Sequence, residues 1–365
     1  MSMRVRSILK GFKPYSWETS PVEVVKKFGL SIDKILRFDT NTMPLIPKEN
    51  IEEFKSAIQN IKINEYPDPS YMELREALSN YLKKDVDEIC ITAGCDEALD
   101  IISKVFVEPE TNVIISSPTY AMYRIVVEAM GGRIVEVLRK KDFSDDVEKI
   151  IEIVDENTRM IFICNPNNPT GNLTPKNDII RLLEDFPEIP VIVDESYAEF
   201  AGESLIKFTS DYENLIILRT FSKAFSLAGA RVGYIVANAK TIKILNIMRP
   251  PNSLSVPSLT LANIALKHLD IIRRNIEYIL SEKEWLMKAF KNIKCIEAYP
   301  SYTNFILVRF KDLNVHDVYE KLLRHGIITR NVSDMPMLEN CLRITVRTRE
   351  ENSFLVENLK NICYG

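Results

Sequence analysis

Apolar runs of strand length, each followed by a loop and then a helical pattern, recur along most of this 365-residue chain. That order constrains the fold more than any other feature of the sequence. EICITAG (88–94) leads into CDEALDIISKVF, NVIISS (112–117) into PTYAMYRIVVEAM, and RMIFICN (159–165), after a loop, into TPKNDIIRLLEDF; VIVDES (191–196) and NLIILRT (214–220) follow. The pattern predicts an α/β protein whose large domain has a mainly parallel central sheet flanked by helices. Ligands of such sheets sit at the carboxyl ends of the strands, so the loops after these runs are where chemistry is expected.

From about Ile242 the pattern changes. A helix to Arg249 meets the breaker Pro250-Pro251, a long helical stretch runs from Pro257 to Phe290, and FILVRF (305–310), VHDVYEKLLRHG (315–326) and CLRITVR (341–347) read as strand, helix, strand. The expected division is an N-terminal arm over 1–37 that packs on a small domain, a large domain over 38–250 and a smaller α/β domain over 251–365. Two helix starts are expected from local chemistry: Ser70 with Glu73 as a capping box, and Thr174 with Pro175 as N-cap and first residue.

Composition narrows the partners. Lys plus Arg number 47 against 51 Asp plus Glu, a net charge of −4, which gives no electrostatic reason to expect nucleic acid. No apolar run approaches the roughly 18 residues a membrane span requires. Six cysteines are scattered without a C-x-x-C pair and no secretory segment follows Met1, so the chain is expected to be reduced and cytoplasmic, its cysteines small core residues. His268, His316 and His325 have no ligand spacing, so no metal is expected.

Three features stand at the ends of consecutive strands: NPNNPTG (165–171), Asp194 and Lys223. Parallel crossovers bring neighbouring strand ends together, so Asn168, Asp194 and Lys223 are placed to converge on one small ligand. An amide, a carboxylate and a lysine are what a pyridoxal 5′-phosphate (PLP) site needs: a Schiff-base amine that later moves a proton, an anion for the pyridine nitrogen and a donor for the ring oxygen.

NPNNPTG, then VDESYAEF, then RTFSKAFSLAGARVGY resembles the fold-type I PLP-dependent aminotransferases of class I/II, most closely the histidinol-phosphate aminotransferases, from about residue 13 to 358. The resemblance implies a catalytic set of Lys223, the Schiff-base lysine, Asp194 on the pyridine nitrogen, and Tyr197, which with Asn168 flanks the phenolic oxygen. Tyr120 matches the aromatic residue stacked on the ring. Cys95, Asp96, Ser222 and Arg231 match the phosphate cup, in keeping with the preference of helix N-termini and arginine forks for phosphate. Tyr66 matches a tyrosine that reaches the cofactor phosphate of a partner subunit, which implies a homodimer with shared sites. Lys223, near cationic arginines, is expected to have a lowered pKa.

On the substrate side the resemblance implies Tyr15, Asn41, Arg330 and Arg343, the two arginines standing thirteen positions apart and suiting a phosphate dianion. The implied reaction is histidinol phosphate plus 2-oxoglutarate to imidazole acetol phosphate plus glutamate, a step of histidine biosynthesis. Thr42, Met43, Cys95 and Arg347 depart from the family pattern. Alternatives on the same scaffold are an aminotransferase for aromatic or other amino acids and a decarboxylase of a phosphorylated amino acid. A PLP-binding regulatory module is the alternative without turnover.

Overall fold

A computed structural model of the chain describes residues 3–9, 11–15 and 19–364. The first strand, β1 (Leu36–Phe38), precedes seven that form one sheet: β2 (Ile89–Thr92), β3 (Asn112–Ser117), β4 (Arg133–Leu138), β5 (Thr158–Cys164), β6 (Val191–Asp194), β7 (Leu215–Thr220) and β8 (Gly233–Ala237). Their spatial order is β2-β8-β7-β6-β5-β3-β4, parallel from β7 through β4, with only β8 running antiparallel to its neighbours. The central strands are apolar at nearly every position because helices cover both faces. Alternate residues divide accordingly: Ile161, Ile163, Val191, Val193 and Ile217 enter one core, and Phe162, Ile192, Ile216 and Leu218 the other. This is the α/β architecture expected of the sequence, and it brings the carboxyl ends of β2, β3, β5, β6 and β7 to one edge.

Strands β9 (Ile296–Ala298), β10 (Phe305–Phe310), β11 (Ile327–Asn331) and β12 (Cys341–Thr345) form a second sheet with β1, in the order β1-β11-β12-β10-β9. Residues 36–38 therefore pair with the smaller sheet, in parallel with β11, at the point where the sequence reading began the large domain. The arm divides its contacts. Val24 packs with Leu323 and Ile328 beside the small sheet, whereas Arg6 Nη1 donates to Ala129 O (2.8 Å), on the side of the large one.

Local expectations were corrected in four places. Asp68, not Ser70, caps the helix Met72–Leu82: its carboxylate accepts from the backbone N–H of Ser70 (3.0 Å) and Met72 (3.4 Å). A carboxylate beside a helix start also gains from the dipole, an advantage a serine hydroxyl lacks. Thr174 turns its hydroxyl to buried Asp145, so the next helix begins at Lys176 with Pro175 as its cap residue. The long helical stretch breaks at His268 into Val256–Lys267 and Leu269–Lys291. Cys295 and Cys363, expected to be reduced, are joined in a disulfide across 68 residues of sequence, leaving the other four thiols free. Among the described residues no helix is long and apolar enough to cross a membrane.

Candidate active site

The strand ends converge on one cavity, and every predicted site residue except Tyr66 and Arg330 lines it. Lys223 follows β7 in a turn, and its Nζ donates to Thr40 O (3.0 Å) and lies 5.8 Å from the Tyr197 ring centre. Burial pushes its ammonium down to about 8, with Arg343 and then Arg231 adding to the shift. The expected direction holds, but desolvation outweighs the arginines that the sequence suggested. With a pKa near 8, roughly a tenth of the amine is unprotonated at pH 7, against a few parts in ten thousand for an ordinary lysine.

Asp194 closes β6, only 4% exposed. Its Oδ1 accepts from the N–H (3.0 Å) and hydroxyl (2.5 Å) of Ser196, and its Oδ2 from the Tyr123 hydroxyl (2.8 Å). Burial nonetheless raises its pKa, since these donors offset only part of the desolvation. A carboxylate held by three neutral donors and still short of compensation is completed by a cation in the cavity. A protonated pyridine nitrogen supplies such a cation. Ser196 and Tyr123 were not foreseen; Tyr123 stands three residues after Tyr120 in PTYAMY, in the first turn of the helix Met122–Met130.

Tyr197 and Asn168 line the same cavity. The Tyr197 hydroxyl accepts from Asn41 Nδ2 (2.9 Å), and burial pushes its pKa up. Asn168 Oδ1 accepts from Arg343 Nη1 (2.7 Å), while Arg343 Nη2 donates to Asp39 O. Tyr120 meets Tyr123 edge to face at 5.8 Å and donates its hydroxyl to Asp96 (3.0 Å).

The expected phosphate end lies at the helix Gly94–Phe106, whose first turn carries Cys95 and Asp96. Gly94 has φ +82°, a backbone conformation that favours glycine, and the Arg231 guanidinium lies close against it, 2.7 Å from where a Cβ would stand. Arg231 reaches Asp96 (3.2 Å) and Ser222 Oγ (3.5 Å). Because the Asp96 carboxylate is engaged by Arg231 and Tyr120, what it offers an anion is its backbone N–H. Cys95 Sγ faces Ser196 Oγ and Arg219 O, each at 3.4 Å, with burial raising its pKa, so it too serves through its backbone. A helix N-terminus with an arginine and a serine, a buried carboxylate awaiting a cation, and a lysine of lowered pKa fit PLP on chemical grounds.

A side cavity shares Tyr15, Tyr120, Asn168 and Arg343 with the main one and adds Arg330. Arg330 and Arg343 are direct partners in the antiparallel pairing of β11 with β12, and Arg330 lies 5.8 Å from the Tyr15 ring centre. Tyr66 is 85% exposed and takes no part in the cavity of its own chain. Of the departures from the family pattern, Arg347 is held outside the cavity by Arg37 O (3.0 Å) and Glu351 (2.7 Å). Met43 is packed in the core, and the Thr42 hydroxyl meets that of Thr40 (3.0 Å).

Residues 25–359 match the family model of aminotransferase class I and II. The histidinol-phosphate aminotransferase of Ruminiclostridium cellulolyticum is 37% identical over 366 residues, covering 99% of this chain and 98% of that protein. The crystal structure of histidinol-phosphate aminotransferase from Sinorhizobium meliloti in complex with pyridoxal-5′-phosphate superimposes with a TM-score of 0.89 at 25% identity, covering 100% of this chain and 98% of that one. L-threonine-O-3-phosphate decarboxylase from Porphyromonas gingivalis superimposes with a TM-score of 0.79 at 25% identity, covering 90% and 99%. With the match running over nearly its whole length, the chain belongs to the class I and II aminotransferase family.

Proposed function

We propose that the protein is a PLP-dependent aminotransferase that converts histidinol phosphate and 2-oxoglutarate to imidazole acetol phosphate and glutamate. The observation that carries the substrate reading is the facing pair Arg330 and Arg343 at the side cavity, in a chain 37% identical to a histidinol-phosphate aminotransferase. Two fixed guanidinium groups match a phosphate dianion better than a lone carboxylate.

PLP, when bound, supplies an aldehyde that amines add to and a ring that withdraws electrons from the bonds of the substrate α-carbon. The chain supplies the rest. The Arg231 guanidinium, the Ser222 hydroxyl and the N–H groups of Cys95 and Asp96 would hold the phosphate, and Tyr120 would cover one face of the ring. Asp194, oriented by Ser196 and Tyr123, would keep the ring nitrogen protonated, and Tyr197 with Asn168 would bind the ring oxygen. Lys223 would carry the cofactor through Nζ and accept the substrate α-proton there; its lowered pKa makes the neutral amine available near pH 7. Tyr15 and Asn41 wall the substrate side.

The decarboxylase of similar fold makes loss of carbon dioxide from a phosphorylated amino acid the second reading. Arg330→Ala separates these from an aminotransferase of unphosphorylated amino acids. The expected result is a loss of about 100-fold in kcat/KM for histidinol phosphate and less than about threefold for unphosphorylated donors. Equal losses on both would remove the phosphate role, and carbon dioxide released in the same assay would select the decarboxylase.

The proposal extends to assembly and location. Tyr66, exposed on its own chain, reaches the cofactor phosphate of a second copy, making a homodimer with shared sites. A cytoplasmic location is part of the same proposal; four thiols are free, and the Cys295–Cys363 disulfide is the observation that runs against it.

A further inference from the structure

Lys283 lies outside the cavity, on the helix Leu269–Lys291, yet is mostly withdrawn from water. Its Nζ donates to two main-chain carbonyls, Ser301 O (2.7 Å) and Thr303 O (3.0 Å), instead of to a carboxylate. Burial lowers its pKa to about 8, and the neighbouring Glu284 offsets only part of that. Keeping an ammonium there is costly, so what its two acceptors hold in place matters.

The turn that it grips joins the two sheets. Tyr302 N donates to Gly171 O (2.7 Å), the last residue of NPNNPTG, and Gly171 N donates to Asn167 O (2.8 Å) to close the loop around Asn168. The contact is tight enough that a Cβ on Gly171, whose φ is +81°, would stand 2.6 Å from Ser301 Oγ. At the end of the turn, Asn304 Nδ2 donates to Asn41 O (2.9 Å), and Asn41 in turn donates to the Tyr197 hydroxyl (2.9 Å). The 301–304 turn thus touches the supports of both Asn168 and Tyr197.

We propose that Lys283 is a positioning residue of the active site: its ammonium fixes the 301–304 turn, and the turn sets where Asn168 and Tyr197 stand. The proposal rests on the reading that these two side chains flank the ring oxygen of PLP. They reach it from loops on different elements, and small displacements of such groups are costly.

The test uses PLP-loaded Lys283→Met and Lys283→Arg, with Gly171→Ala disturbing the same joint from its other side. In Lys283→Met the pH midpoint of the bound-cofactor absorbance should move by about half a unit or more, since Asn168 and Tyr197 bond the ring oxygen. Its kcat/KM for the amino donor should fall about tenfold or more. Lys283→Arg, which keeps the cation, should return the midpoint to within about 0.3 pH unit and kcat/KM to within about twofold of wild type. Gly171→Ala should reproduce the spectral shift, and it decides the matter if Lys283→Met does not fold. A wild-type midpoint in folded Lys283→Met, or in Gly171→Ala, overturns the proposal, as does an arginine variant no better than the methionine one. If the wild-type enzyme binds PLP but converts no amino donor, the reading of the site fails; if it converts donors and the variants match it, only the role of Lys283 fails.

Discussion

Lys223→Ala is expected to lower kcat by about 10⁴-fold or more and to abolish the absorbance of the lysine-linked cofactor. The size follows from two jobs done by one atom. In the proposed mechanism Nζ both carries the cofactor and accepts the α-proton, and the other side chains lining the cavity include no second amine. The loss should fall on kcat rather than on the binding of the amino donor, because the arginines and the phosphate cup are untouched. Thermal stability should not suffer. Burial lowers the pKa of Lys223 to about 8, below its unfolded value, so the charged form is disfavoured by folding at neutral pH and its removal relieves that cost. Single-turnover kinetics with an absorbance spectrum check both parts. A variant that keeps the wild-type spectrum would contradict the assignment of the cofactor to this lysine.

Asp194→Ala should weaken PLP binding and lower kcat by about a hundredfold or more. Removing one member of a buried charge pair typically costs about 3–5 kcal/mol, and here the pair is the carboxylate and the ring nitrogen. Tyr123 and Ser196 would also lose their acceptor. Asp194→Asn keeps the shape and part of the hydrogen bonding while removing the charge, so it isolates the electrostatic share. Cofactor dissociation measured by dialysis and fluorescence, together with kcat, reads the effect. If Asp194→Asn binds PLP and turns over like wild type, the carboxylate does not serve the ring nitrogen.

Much of the cavity was legible because it stands at strand ends, and strands buried on both faces leave continuous apolar runs whose last residues can be read off directly. Asn168, Asp194 and Lys223 each follow such a run. What orients them was less legible. Tyr123 reaches Asp194 only because β3 lies beside β5 and β5 beside β6, a sheet order that no local pattern encodes. Arg330 and Arg343 stand thirteen positions apart, a number that says nothing of register; the antiparallel pairing of β11 with β12 makes them direct partners. Lys283 sits in an unremarkable helical stretch, and its role depends on a turn some twenty residues on. The helix starts at Met72 and Lys176 were misread because two candidate caps competed and a tertiary partner, Asp145, drew Thr174 away. The Cys295–Cys363 bond joins two positions that only the packing of the C-terminal helix brings together.

The central claim is that this cavity holds PLP on Lys223 and uses it to take an amino group from histidinol phosphate. The most direct test adds histidinol phosphate, alone and without an acceptor, to the PLP-loaded protein and follows the cofactor absorbance. The account predicts complete conversion of the aldehyde form to the amine form, stoichiometric release of imidazole acetol phosphate, and return of the original spectrum on adding 2-oxoglutarate. A spectrum unmoved by histidinol phosphate but converted by an unphosphorylated amino acid would contradict it.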